Sequence, residues 1–334
     1  MSTKSGKRPS FEDVHYLLRP AKNVQRKMIC DALTRLEFLR PISDYRYIGF
    51  GSVYFGDFVL FHRRLGIGKM TTIEAERSAE ERVKFNRPFD CIDVQMGFST
   101  DVLPNLKVDQ QPNIVWFDYD GVLKDFVNVD IRSLAASVAP CSVVVVTLDA
   151  QWKAFVETVD SLEVPNQEDY DALTLGEKIA RLTGDNRFLI ADLTGDKLAE
   201  ECRLSMQAAL EKGISERNLE LIESGSKDLI HYRQLFNFRY QDKAEMMTIG
   251  WLLYPESETN KVSAARFDKL EFCRDAGSYF KITAPKLTFH EVRELNRYLP
   301  CADPSSIPVP ISNEYKTEYT RIYRYFPAFT EAEI

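Results

Sequence analysis

Apolar and polar positions along this chain follow two rhythms. Between residues 45 and 150, a short apolar run ends in a polar or glycine-bearing turn. A segment with apolar residues at helical spacing follows, and the pair recurs. "YRYIGF" predicts a first strand, and "VYFGDFVLFHRRLG" a helix that stops at Gly66. "KMTTIEAE" predicts a second strand. "RSAEERVKFN" predicts a second helix, with Ser78 and Glu81 at capping-box spacing. "FDCIDVQMG" and "NIVWFDYDG" predict strands three and four, "VDIRSLAASVA" a helix, and "CSVVVVTLDA" a fifth strand. The last run is apolar at every position of its core, as a central parallel strand must be when helices cover both faces. Strands alternating with helices predict an α/β fold around a mostly parallel sheet.

After Ala150 the rhythm changes. Residues 151–230 read as acidic and helical, with a strand expected only at "RFLIADL". This segment is expected to be a helical cap over the site or a dimer arm. "LFNFRYQ" and "EMMTIGWLLYP", joined by "DKA", predict an antiparallel hairpin that closes the sheet. Beyond it, "FHEVRELNRYL" predicts a helix with Thr288 and Glu291 as its capping box, and "LPCADPSSIPVPI" a loop. The tyrosine-rich tail "EYKTEYTRIYRYF" predicts core or interface packing. The expected organisation is an N-terminal helical segment over 1–44 and an α/β domain over 45–255 with a helical insertion at about 151–230. A C-terminal extension over 256–334 packs on the core.

Composition narrows the function classes. The 334 residues are 44% hydrophobic and 28% charged, with a formal net charge of −7, which argues against a protein coated in basic surface. No apolar run reaches the roughly 20 residues of a membrane helix. The opening "MSTKSGKRPSFEDV" has no apolar core of a secretory signal, and the six cysteines form no CxxC pair; together these predict a cytoplasmic protein with reduced thiols. One basic cluster stands out: Arg19, Lys22, Arg26 and Lys27 at near-helical spacing. It reads as a solvated helix face, the alternative being a contact surface for an anionic substrate. The four histidines, His15, His62, His231 and His290, have no ligand-like spacing, and His62 reads as a packed or surface histidine.

The candidate chemistry lies at the strand ends. "YIGFGS" is a strand followed by a Gly-x-Gly turn and a helix, which lets a ligand approach the backbone and the helix N-terminus. A dinucleotide loop needs a third glycine where Val53 stands, and a Walker loop needs a Gly-Lys-Ser/Thr that does not follow any strand here. A cofactor without phosphates tolerates the looser turn. Glu74, at the end of the second strand, lies where an acid can accept from both hydroxyls of a ribose.

The order of these motifs resembles the class I S-adenosylmethionine-dependent methyltransferases, with their Rossmann-like three-layer sandwich, over roughly residues 45–255. "YIGFGS" resembles the first glycine motif, "TIEAE" the ribose-binding acid, "DVQMGFSTDVLP" the adenine-flanking turn, and "WFDYDG" the place where substrate and methyl group meet. "LRPAK", "YIGFGSVYFGDF" and "FNRPF" are more closely similar to a bacterial group of O-methyltransferases. The chain departs from the pattern at Tyr47, where the family has an acid, at Val53, and at Phe98, where an adenine-reading acid is often found. The resemblance implies that Gly49, Phe50, Gly51 and Ser52 cradle the methionine part of S-adenosylmethionine and that Glu74 holds the ribose. It implies that Gly97 and Phe98 flank the adenine, and that Asp118 and Asp120 face the reacting group, Asp118 also contacting the cofactor. Asp118 and Asp149 resemble the magnesium pair of metal-dependent O-methyltransferases, although Asp149 reads more simply as a helix N-cap. The substrate stays open between a small molecule, a protein side chain and RNA.

Two other classes remain. "NIVWFDYDGVL" also resembles the first motif of haloacid-dehalogenase-like phosphatases, with Asp118 as nucleophile, Asp120 as acid/base and Thr147 as a second motif. Three strand–helix units precede it, however, and no later strand ends in the paired acids that would complete the metal site. A non-catalytic nucleotide-binding Rossmann-like module would keep the cofactor loop and tolerate loss of Asp118 and Asp120.

Overall fold

The computed structural model describes residues 19–189, 193, 195–274 and 277–327. His15 and the rest of 1–18 lie outside the described residues.

Among the described residues, eight strands form one sheet: β1 (Arg46–Gly49), β2 (Lys69–Glu74), β3 (Ile92–Met96), β4 (Asn113–Asp118), β5 (Val143–Asp149), β6 (Ile230–Gln241), β7 (Glu245–Pro255) and β8 (Phe280–Ile282). Their order is β3-β2-β1-β4-β5-β7-β6-β8. Strands β1 to β5 pair in parallel, and β7 runs against β5 and β6. This is the Rossmann-like arrangement with a closing antiparallel hairpin. The sheet grows outward in both directions from β1 and β4, so the strand order reverses there and a crevice opens beyond their carboxyl ends.

Both faces of the sheet are covered, and the strands show it residue by residue. In β5, Val143 and Val145 enter one hydrophobic cluster while Val144 and Val146 enter the other. In β4, Ile114 and Trp116 face the first, Val115 and Phe117 the second. Period-2 side-chain alternation with apolar residues on both sides is what a buried parallel strand requires. The first face carries α1 (Pro20–Thr34), α2 (Gly56–Leu65) and α3 (Glu80–Asn86); the short α4 (Ser99–Val102) follows β3. The second carries α5 (Asp125–Ser137) and, beyond the small helices α6 (Trp152–Asp160), α7 (Gln167–Asp171) and α8 (Leu175–Thr183), the long α9 (Asp196–Glu223). A Cβ on Gly213 of α9 would collide with the Arg132 carbonyl and meet the Ala135 Cβ at 2.9 Å, so glycine sets the close approach of α9 to α5.

Helix α1 begins with Pro20 at its first turn, where the missing N–H costs nothing. Its next two N–H groups, of Ala21 and Lys22, donate to the Asp242 carboxylate at 3.1 and 3.0 Å. Asp242 sits in the β6–β7 turn, so a residue 220 positions away caps this helix and fixes which of its side chains point at the strand ends.

Several expectations change. Ser78 and Glu81 do not form a capping box; Glu76 accepts from the Ser78 N–H at 3.0 Å instead, and Ala79 precedes α3. The box at Thr288 and Glu291 is formed, opening α11 (Phe289–Asn296) after the short α10 (Thr259–Ala264). The strand expected at "RFLIADL" begins as a single 3-10 turn over Asn186–Leu189, and most of its remainder lies outside the described residues. β6 starts earlier than its apolar run, and a register shift between Gln234 and Phe236 explains why the alternation breaks there. β8, too short to announce itself, pairs in parallel with β6. The tail forms α12 (Asn313–Ile322), whose Tyr319 is buried with Leu295, Ile307 and Val309.

Candidate active site

A cavity of about 320 Å³ lies at the carboxyl ends of β1 to β4. The turn after β1 supplies Phe50, Gly51 and Ser52 to its wall, β2 ends in it at Glu74, the turn after β3 supplies Gly97 and Phe98, β4 ends in it at Asp118, and the turn after β4 supplies Asp120. Four motifs spread over more than 70 residues of sequence therefore converge on one space. Gly49 is the exception among the expected residues. It is buried beneath the turn, where a Cβ would meet the Tyr47 hydroxyl at 2.5 Å and the Trp116 carbonyl at 3.2 Å. Its smallness serves packing, whereas Gly51 serves both packing and the cavity.

The turn itself is tightly built. The Gly51 N–H donates to Thr72 Oγ1 at 2.8 Å, tying it to β2. Ser52 and Phe55 both hold left-handed backbone, φ +50° and +51°. That conformation costs a non-glycine residue about 1–3 kcal/mol, and it concentrates at functional turns. Phe55 is buried against Phe58, which offsets the strain. Tyr47, in the place of the expected acid, donates to the Asp57 carboxylate on the first turn of α2, and Asp57 also lines the cavity. Burial, opposed by the charge of Arg26 and the bond from Tyr47, pushes the Asp57 carboxyl above the usual range.

Glu74 Oε1 accepts from the Glu76 N–H at 3.2 Å. Burial pushes the Glu74 carboxyl above the ordinary glutamate range. Gly97, with φ +145°, occupies backbone that a side chain would strain, and its N–H donates to the Glu74 carbonyl at 2.9 Å. Phe98 is 66% exposed at the rim. Phe50 stacks on Phe117 with ring centroids 4.7 Å apart and makes an edge contact with Tyr119. Beneath the cavity, Tyr119 donates to Asp130 at 2.7 Å, and Ser99 bonds the same oxygen. Asp130 on α5 thus ties the turn after β3 to the turn after β4. Burial, opposed by these two bonds, raises its carboxyl above the usual range.

The basic cluster of α1 is not a solvated face. Lys22 is 2% exposed, and its Nζ donates to Asp118 Oδ1 at 2.8 Å and to the Tyr240 hydroxyl at 3.1 Å. It also lies 5.0 Å from the centre of the Trp116 ring. Arg26, one turn on, lines the cavity. The sequence carries no clear signal for this: Ala21, Lys22, Val24, Gln25 and Met28 are all buried, so the helix has no separate wet face at these positions. Asp57 gives no signal either, because only the tertiary contact with Tyr47 brings it to the wall.

The magnesium reading does not fit these donors. Asp118 already holds an ammonium group, and Asp149 Oδ1 accepts from the Gln151 N–H at 2.8 Å, just ahead of α6. Asp149 is not in the cavity wall, and among the described residues no three His, Cys, Asp or Glu side chains are grouped to hold a metal. His62 is packed, its Nδ1 2.9 Å from the Ile67 carbonyl and its ring on Phe89. Among the described residues, no part of the cavity wall comes from 151–230; α9 covers α5 on the second face of the sheet rather than capping the site.

A family described as "Putative O-methyltransferase" matches residues 14–334. The chain belongs to that family. It is a methyltransferase. The phosphatase reading of "WFDYDG" is thereby set aside. Among curated proteins none matches the sequence. Similar solved structures include the O-methyltransferase TomG of Streptomyces achromogenes in complex with S-adenosylmethionine. It is 15% identical, with 67% of this chain and 79% of that chain covered and a TM-score of 0.33. An O-methyltransferase of Bacillus cereus in complex with S-adenosylhomocysteine is 11% identical, covering 72% and 96%, at 0.34. A Listeria monocytogenes protein described as a "putative S-adenosylmethionine dependent methyltransferase" is 8% identical, covering 70% and 98%, at 0.39. Among the described residues of this methyltransferase, no helix is long and apolar enough to cross a membrane.

Proposed function

We propose that this methyltransferase moves the methyl group to an oxygen of a small-molecule acceptor, at the cavity beyond β1 to β4. The observation that carries the reading is the convergence of Gly51, Glu74, Gly97 and Asp118 on that one space. Residues 45–255 are the catalytic unit in this reading, with 1–44 and 256–334 wrapped on it and α1 contributing to the wall.

Bound S-adenosylmethionine supplies an electrophilic methyl on a sulfonium. The protein's work is alignment, exclusion of water and proton removal. Phe50, Gly51 and Ser52 border the methionine part. Glu74 accepts from the ribose hydroxyls, and Gly97 and Phe98 flank the adenine. Asp118 and Asp120, at the end of β4, face the acceptor and take its hydroxyl proton. Lys22 holds one oxygen of Asp118, which fixes the carboxylate's direction. An acidic chain with five carboxylates in the cavity wall favours a small acceptor over RNA, whose phosphates would be repelled.

The first test is calorimetric titration with S-adenosylhomocysteine. Glu74→Ala is expected to weaken binding about 10–100-fold, the worth of hydrogen bonds to a charged group. Protonating Glu74 removes an acceptor, and its carboxyl sits above the ordinary range, so wild-type affinity is expected to fall on acidification before the usual glutamate pKa of about 4.3 is reached. Glu74→Gln is expected to flatten that dependence. Equal affinity in wild type and Glu74→Ala would remove Glu74 from the site.

A reducing cytoplasm, bacterial by the resemblance of its motifs, is the proposed setting. Six cysteines without a disulfide support it. A homodimer is proposed from Leu219 and Ile222, both exposed near the end of α9. Light scattering is expected to give about twice the 38.5 kDa of the chain, and a monomer mass at micromolar concentration would refute it.

A further inference from the structure

One wall of the cavity comes from outside the strand–helix units. Helix α1 carries Arg26 into it, beside the turn after β1. The guanidinium carbon lies 3.5 Å from where a Cβ on Gly56 would stand, so the group crosses the start of α2. Its Nε is buried and has no hydrogen-bond partner among the described residues. A buried donor left unpaired is costly and asks for an explanation.

The charges around it are specific. Among the described residues in the wall, Arg26 is the cation, set against Asp57, Glu74, Glu76, Asp118 and Asp120. Lys22 lies deeper and is already paired with Asp118. Arg26 crosses the start of α2 at Gly56, and the next residue, Asp57, lines the same wall, so a cation and a carboxylate adjoin at this end of the cavity. An α-amino acid carries its carboxylate and ammonium on one carbon, and it needs that juxtaposition in whatever binds it. With the ribose held at Glu74, the amino-acid end of the cofactor reaches the turn after β1, where Arg26 and Asp57 are.

We propose that Arg26 binds the carboxylate of the methionine part of S-adenosylmethionine, with Asp57 facing its ammonium group. The inference rests on the cofactor site of the preceding subsection and deepens it. A planar guanidinium takes a carboxylate through two parallel N–H donors, and Arg26 is the residue of the wall that can offer them. It makes α1 part of the cofactor site, held in register by its Asp242 cap.

Three probes separate this from its rivals, each titrated calorimetrically into the full chain. S-adenosylhomocysteine carries carboxylate and ammonium. Decarboxylated S-adenosylmethionine keeps only the ammonium of the two. Methylthioadenosine carries neither. Arg26→Gln is expected to weaken S-adenosylhomocysteine about 10–100-fold and to leave the other two within about threefold of wild type, with Arg26→Lys intermediate. Thermal melts establish that both variants fold. Equal weakening of all three probes would overturn the proposal in favour of a packing role. No change in any of them would overturn it too, and would release Arg26 for an anionic acceptor. Should wild type bind none of the three, the cofactor site itself fails, a result distinct from both.

Discussion

Asp118→Ala is expected to destabilise the protein by about 3–5 kcal/mol, because it strands Lys22 as an uncompensated charge inside the fold. Lys22 is 2% exposed, and Asp118 keeps 23% of its side chain exposed. The two removals are therefore unequal. Lys22→Met leaves a carboxylate that water still reaches and fills the space with an unbranched chain of similar length, so its cost is smaller, about 1–3 kcal/mol. Burial, opposed by Asp118, holds the Lys22 pKa below its ordinary value. Between that lowered value and about 10.4, the unfolded chain binds more protons than the native one, so stability from this group rises with pH and is lost as pH falls through the folded value. Without Asp118 the folded value drops further and the window widens downward. Urea melts at pH 7 and pH 10 are expected to show the Asp118→Ala deficit shrinking at the higher pH. A deficit under about 1 kcal/mol, or one that ignores pH, would refute the account of the pair.

The double substitution Asp118→Asn and Asp120→Asn is expected to lower turnover about 10²–10⁴-fold, the usual worth of a positioned acid–base group. Asparagine keeps an oxygen to accept from Lys22 but not the charge, so a thermal melt first establishes that the double variant folds, and the loss then reads on chemistry. Transfer of labelled methyl to a panel of hydroxyl-bearing acceptors measures it, with S-adenosylhomocysteine affinity expected to stay within about tenfold of wild type. Undiminished turnover in a folded double variant would remove both residues from the reaction. Loss of cofactor affinity in step with turnover would make them binding residues instead.

The strands are legible in the sequence because their pattern is local. β5 opens on four consecutive valines since both faces are covered, and β2 ends in an acid where the apolar run stops. Motif order is legible for the same reason: the turns after β1 to β4 lie in sequence at the points where strand period gives way. Gly49 reads as a cavity residue, yet lies beneath the turn, because a tight turn and a tight packing contact ask for the same residue. Lys22 and Arg26 read as a wet face because spacing reports which residues share a side of a helix, not what that side meets.

The sequence by itself determined the alternation of strands and helices, the closing hairpin and the carboxylates at the strand ends. Each depends on neighbours within a few positions, where period and turn chemistry act. Only the tertiary structure decided that α1 lies across those strand ends, capped by Asp242 and bearing Lys22 and Arg26. Pairing between residues 96 and 220 positions apart leaves no periodic trace in the chain, since it is set by how the sheet twists and which helix the hairpin turn can reach.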